Sequence, residues 1–183
     1  MSGPRFGSES WEPATSVATS HGSWHGASGR RGVGAEVSYR SRTRRTPFEA
    51  ECGVTFRPLD ELVGRSDLLP VHLALSGDTE GLLDARLVGS LPHGAGLVNI
   101  APNELLDLEA VLSRCGTGSL RFATDHRDEL PGDVLARARD TASVFLCPPI
   151  GYATAEADHR KFEVLVSNTE AFVTGTPTNQ VTP

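Results

Sequence analysis

Two short stretches place chemically able side chains directly after apolar runs. In "LRFATDHRDE" (120–129), Asp125, His126 and Glu129 follow a strand-like run, and a histidine among carboxylates is a titratable cluster able to move protons near neutral pH. In "EVSYRSRTRR" (36–45), Ser41 precedes Arg42, Thr43, Arg44 and Arg45. Guanidinium forks match phosphate oxygens two at a time, so this stretch is a candidate phosphate contact. A surface-loop histidine and a solvated basic turn are the ordinary alternatives, and both stay open on sequence alone. A third pair, His21 and His25, stands four apart, but the glycines around it disfavour a helix and no cysteine or carboxylate completes a metal-ligand set.

Other chemistry is set aside by what the chain lacks. Its one lysine, Lys161, lies outside any GxxxxGK[ST] context, which removes the P-loop reading and leaves little room for Schiff-base catalysis. Cys52, Cys115 and Cys147 are odd in number and far apart, which suggests neither a disulfide framework nor a zinc site and fits a reducing, cytoplasmic setting. No apolar stretch approaches a membrane span of roughly 18 residues. The net charge of −6 hides an asymmetry: residues 1–45 carry seven arginines and three glutamates, leaving ten basic and twenty acidic residues for the remainder. Arginines scattered through Gly/Ser-rich sequence without interleaved aromatics read as solvated tail, so nucleic acid is not the expected partner.

The elements that must position the candidate residues begin near Gly34. Residues 1–32 are rich in Gly and Ser without a sustained apolar period, and the expectation is a disordered head before a domain over 33–183. Short apolar runs then alternate with capped helical patterns, the signature of β-α-β units and a parallel sheet. Strands are expected at 35–40, 53–56, 68–75, 96–100, 119–124 and 143–147, with helical segments at 58–65 and 133–139. Asp84 and Asp107 are N-caps for two further helices, and Gly116 is placed to stop the second in the left-handed conformation. A last helix starts at Thr154, repeats apolar residues at Phe162, Leu165, Val166, Phe172 and Val173, and ends at Gly175.

The order of residues from "LDELVGRSDLLPVHLALSGDTEGLLDARLVGS" through "GLVNIAPNELLDLEAVL" to "CPPIGYAT" resembles the cofactor domain of the D-isomer-specific 2-hydroxyacid dehydrogenases. The resemblance covers roughly 34–183 and implies an α/β, Rossmann-like parallel sheet with flanking helices that binds NAD or NADP. It also implies an Arg to clamp a substrate carboxylate, a His to exchange the hydroxyl proton, and a Glu to orient that His. The positions implied beside the cofactor are His72, Asn99, Ala101 and Asp125, together with Ser41, Arg42 and Thr43 at the end of the second strand. There an acidic residue would suit NAD, whereas a small residue followed by Arg suits the NADP 2′-phosphate, so NADP is favoured.

Against that pattern stand specific departures. The implied Arg position holds Pro102 and the implied His position holds Pro149, after the family's own proline at Pro148; neither supplies a charge or a proton. The Glu position falls on Glu129 or Leu130, and His126 is the substitute base nearest in sequence. Counting back from Val37 puts the phosphate-binding glycines at Ala18, Ser20 and Ser23, so the first strand and its glycine-rich loop are expected to be missing. The resulting expectation is a catalytically inactive NAD(P)-binding homologue, acting as a homodimer or with a partner that completes the sheet. An active NADP-dependent 2-hydroxyacid dehydrogenase and a recruited non-redox or partner-binding protein are the alternatives.

Overall fold

The computed structural model describes the backbone of Ser16–Ser20 and residues 36–150 and 153–180. It divides into two compact units, Met1–Pro148 and Pro149–Pro183. The first carries β1 (Ser16–Ser20), β2 (Glu36–Arg40), α1 (Thr46–Cys52), β3 (Thr55–Phe56), α2 (Leu59–Gly64) and β4 (Leu68–Val71). It continues with α3 (Ala85–Ser90), β5 (Ala95–Asn99), α4 (Leu108–Gly116), β6 (Leu120–Thr124), α5 (Gly132–Arg139) and β7 (Val144–Leu146). The second carries α6 (Ala155–Val173).

One seven-stranded sheet runs in the order β3-β2-β1-β4-β5-β6-β7. From β4 to β7 every pairing is parallel, with Leu97 opposite both Leu69 and Phe122. Alternation decides which face is buried: Leu69, Val71, Ala95, Leu97, Leu120 and Phe122 point one way, into a core shared with Leu62 and Val63 of α2, Leu87 and Val88 of α3 and Val111 of α4. The helices start where sequence chemistry places them. Asp84 accepts the Leu87 amide at 2.8 Å and Asp107 accepts the Ala110 amide at 2.9 Å, satisfying donors that a helix leaves unpaired at its first turn. At the other end of α3, the Arg114 guanidinium donates to the carbonyls of Val88 at 2.7 Å and Leu91 at 2.9 Å, so one half-buried side chain on α4 closes its neighbour.

Several expectations change. The slot expected to be empty between the second and fourth strands is filled by β1, so the sheet is continuous without a partner strand. That strand lies inside the stretch expected to be a disordered head; His21 and His25 lie outside the described residues. β1 is antiparallel to both neighbours, pairing Ser16 with Arg40, Ser20 with Glu36 and Thr19 with Leu68. The segment Thr46–Cys52 forms a helix without an apolar stripe, held instead by an edge contact of Phe48 on Tyr39 at 5.8 Å and by hydrogen bonds to Glu49. Gly116 remains helical; the left-handed residue is Gly118, φ 70°, whose amide donates to the Cys115 carbonyl. The strand expected over 68–75 ends at Val71, since the chain leaves the sheet there and Ala74 to Gly77 are exposed.

In the second unit Thr154 caps α6 by accepting the Ala157 amide at 3.1 Å, and Gly175 at φ 78° follows its end. Among the described residues no helix is long and apolar enough to cross a membrane. Leu97 is fully buried at the centre of the parallel ladder. Leu97→Ala should cost about 2–5 kcal/mol of stability, read from urea unfolding, because the surrounding core relaxes only partly around the lost methyls.

Candidate functional site

The C-terminal ends of β2, β4, β5 and β6 form the edge on which the candidate residues fall. Ser41 follows β2, His72 follows β4, Ala101 lies two residues past β5, and Asp125 follows β6. Parallel α/β sheets bind ligands outside this edge because strands end there while helices begin.

The β5 and β6 exits are locked to each other. The Asn99 side chain, fully buried, donates to the Ala101 carbonyl at 2.8 Å and to Asn103 Oδ1 at 3.3 Å, while its Oδ1 accepts the Ala101 amide at 3.2 Å. Asn103 in turn donates to the His126 carbonyl at 2.9 Å. Asn99 is thereby spent on its own loop and shapes the site rather than facing a ligand. Pro102 opens the short 3-10 turn Asn103–Leu105 with φ −51°, and its carbonyl accepts the Leu105 amide at 3.3 Å. Pro102 is thus a turn former with no backbone donor.

On the β6 side, Thr124 Oγ1 accepts the His126 amide at 3.0 Å and fixes the chain as it leaves the strand. The His126 ring places Nδ1 2.9 Å from Glu129 Oε2 and Nε2 3.7 Å from Asp125 Oδ1. This brings together the titratable cluster read in the sequence, with Glu129 rather than Leu130 beside the imidazole; the Leu130 side chain is buried under α5. Asp125 Oδ1 is buried and accepts no hydrogen bond among the described residues. His72 is half-buried, and burial pushes its pKa below the ordinary histidine value. Pro149 is the first residue of the second unit.

The β2 end is a separate construction. Ser41 Oγ donates to the Thr43 carbonyl at 2.7 Å, and the buried Tyr39 hydroxyl accepts the Arg45 amide at 2.8 Å, so the loop is held from beneath. Neither Tyr39 nor Glu49 was among the candidates read from the sequence; a buried tyrosine on an otherwise apolar strand face, needing a partner for its hydroxyl, was the available signal.

In doubly wound folds the pyrophosphate of a dinucleotide sits on the turn leaving the C-terminal end of the first strand. Here Ser20 lies opposite Glu36, at the far edge from Ser41, so the chain leaving β1 starts on the wrong side of the sheet for that cradle. Among the described residues no three His, Cys, Asp or Glu side chains gather as a metal site would require.

Comparison with known proteins agrees with the architecture. Residues 26–151 match the model of the D-isomer specific 2-hydroxyacid dehydrogenase, NAD binding domain. The match starts after β1, so the reversed strand lies outside it. A glyoxylate reductase of Thermococcus onnurineus is 32% identical over 146 residues, covering 79% of this chain and 43% of that protein. A glycerate dehydrogenase of Methylorubrum extorquens is 29% identical over 127 residues, covering 67% and 40%. A solved Thermus thermophilus protein superposes with a TM-score of 0.68 at 28% identity, over 79% of this chain and 45% of that one. The D-lactate dehydrogenase of Treponema pallidum, at 21% identity and a TM-score of 0.70 over 82% and 50%, shares the fold. The chain thus spans less than half the length of the curated relatives it matches.

The lowered His72 value has a direction in pH. Below the ordinary histidine value of about 6.5 the unfolded chain takes up this proton while the folded one resists, so the folded state loses stability as pH falls. His72→Asn should therefore flatten the acid-side decline between pH about 7 and about 5, measured as the difference in urea midpoints between variant and parent.

Proposed function

The chain belongs to the D-isomer specific 2-hydroxyacid dehydrogenase family, through its NAD-binding domain, and we propose that it binds an adenine nucleotide carrying a 2′-phosphate without performing the dehydrogenation. The observation that carries this reading is the pair Pro102 and Pro149. A 2-oxo acid needs a fixed cation for its carboxylate and a proton carrier for its carbonyl oxygen, and proline supplies neither. The reversed β1 argues the same way, since it takes the pyrophosphate turn off the nucleotide edge.

The 2′-phosphate preference rests on Ser41 and Arg42. No carboxylate stands at Ser41 to accept a ribose hydroxyl, and the Arg42 side chain has no partner among the described residues. A dianion there gains charge-assisted hydrogen bonds that a bare ribose does not.

One observation favours a second reading, that of a working reductase. His126 hydrogen-bonded to Glu129 is the arrangement of an acid/base oriented by a carboxylate, reached from different positions. The two readings separate in a single set of measurements on the full chain. The non-catalytic reading expects NADPH to bind about tenfold more tightly than NADH and to raise the unfolding midpoint, with no NADPH consumed in the presence of glyoxylate, the substrate class suggested by the relatives' names. Steady consumption that disappears in His126→Asn would overturn it in favour of the second reading. Equal affinities would remove the 2′-phosphate preference.

A further inference from the structure

Three arginines crowd the 41–45 loop, but they are not equally available. Arg44 donates through Nε and Nη2 to the two oxygens of Glu49, each at 2.8 Å, in the parallel fork that guanidinium makes with carboxylate or phosphate. The Glu49 carboxylate is fixed in turn by the Tyr39 hydroxyl, which donates to Oε1 at 3.0 Å. The Arg44 guanidinium also lies 5.7 Å from the centroid of the Phe56 ring, with that of Arg40 at 5.1 Å. Arg44 is thus held by Glu49 and the Phe56 ring, while the side chains of Arg42 and Arg45 have no partner among the described residues. The Glu49 carboxyl is held below the usual carboxylate range, by the Arg44 hydrogen bond first and against the effect of burial.

Resting on the reading that this loop meets the adenosine ribose, we propose that Glu49 determines specificity as an internal anion. It fills the fork of Arg44, so a 2′-phosphate is met by Ser41 and Arg42 and the preference for phosphorylated ribose stays below what the loop's arginines would otherwise give. Carboxylate and phosphate compete for one face of one guanidinium, so the ligand must displace Glu49 or do without Arg44. Glu49 would in addition repel an arriving dianion across a short distance. The hydrogen bond from the Arg45 amide to the Tyr39 hydroxyl does not involve Glu49, so removing the charge at 49 leaves the loop pinned.

The test uses 2′,5′-ADP and 5′-AMP as probes on the full chain, by calorimetry, since these fragments need no pyrophosphate turn. In the parent, 2′,5′-ADP should bind about tenfold more tightly than 5′-AMP, and Arg42→Ala should erase most of that difference. Glu49→Gln should tighten 2′,5′-ADP about threefold, the size of an exposed pair relieved of its competitor, and leave 5′-AMP unchanged. Arg44→Ala alone should change 2′,5′-ADP binding less than about twofold, and combined with Glu49→Gln it should cancel the gain. Unchanged or weakened 2′,5′-ADP binding in Glu49→Gln overturns the proposal, as does an Arg44→Ala loss equal to that of Arg42→Ala, which would make Arg44 a ligand that Glu49 positions. If the parent shows no preference between the two probes, the underlying 2′-phosphate reading fails and the inference with it. Thermal midpoints within about two degrees of the parent show that each variant compared is folded.

Discussion

A strand in the middle of a sheet presents two rows of N–H and C=O groups, and both rows need partners. Between β2 and β4 that requirement is met by Ser16–Ser20 running backwards. Backbone pairing does not depend on strand direction, so the sheet closes and the core beneath β4, β5 and β6 stays covered. Direction does decide which end of the strand carries the turn. The same seven-stranded order therefore supports a complete sheet while the chain leaving β1 starts at the edge opposite Ser41.

Along that edge the chemistry divides into two locally supported groups. Asn99, Asn103 and His126 tie the exits of two neighbouring parallel strands through buried amides, which holds Asp125 and Glu129 in place without help from the β2 side. At β2, Tyr39 reaches the loop and Glu49 from below, and Arg44 and Phe56 complete the cluster. Buried amides and hydroxyls at the base of each half, from Asn99 and Asn103 on one side and Tyr39 on the other, hold the exposed groups above them in place.

Much of this was legible in the sequence because local chemistry and fold agree. Asp84, Asp107 and Thr154 are each followed by a helix whose third amide they accept, and the buried positions of β5 and β6 alternate as apolar strands should. Reading failed where the stabilising contact is remote. Helix α1 has no apolar stripe and depends on Tyr39 from the preceding strand; "SVATS" has little to mark it as a central strand, and only its backbone is required there. The family motif located Asn99 at the site, but nothing in the letters told that its carboxamide folds back onto Ala101. The pairing of His126 with Glu129 likewise depends on the 3-10 turn Arg127–Glu129, which brings residues three apart onto one side.

The two prolines after β7 have a consequence for the behaviour of the chain in a crowded solution. β7 is an outer strand of three residues, and Phe145 on it is 65% exposed, a combination that templates the addition of a foreign strand. The Cys147 amide is already taken by the Thr124 carbonyl, and Pro148 and Pro149 have no N–H to offer. An incoming chain can therefore register with only a few residues before the ladder runs out. The two prolines thereby blunt this edge of the sheet as a template for aggregation.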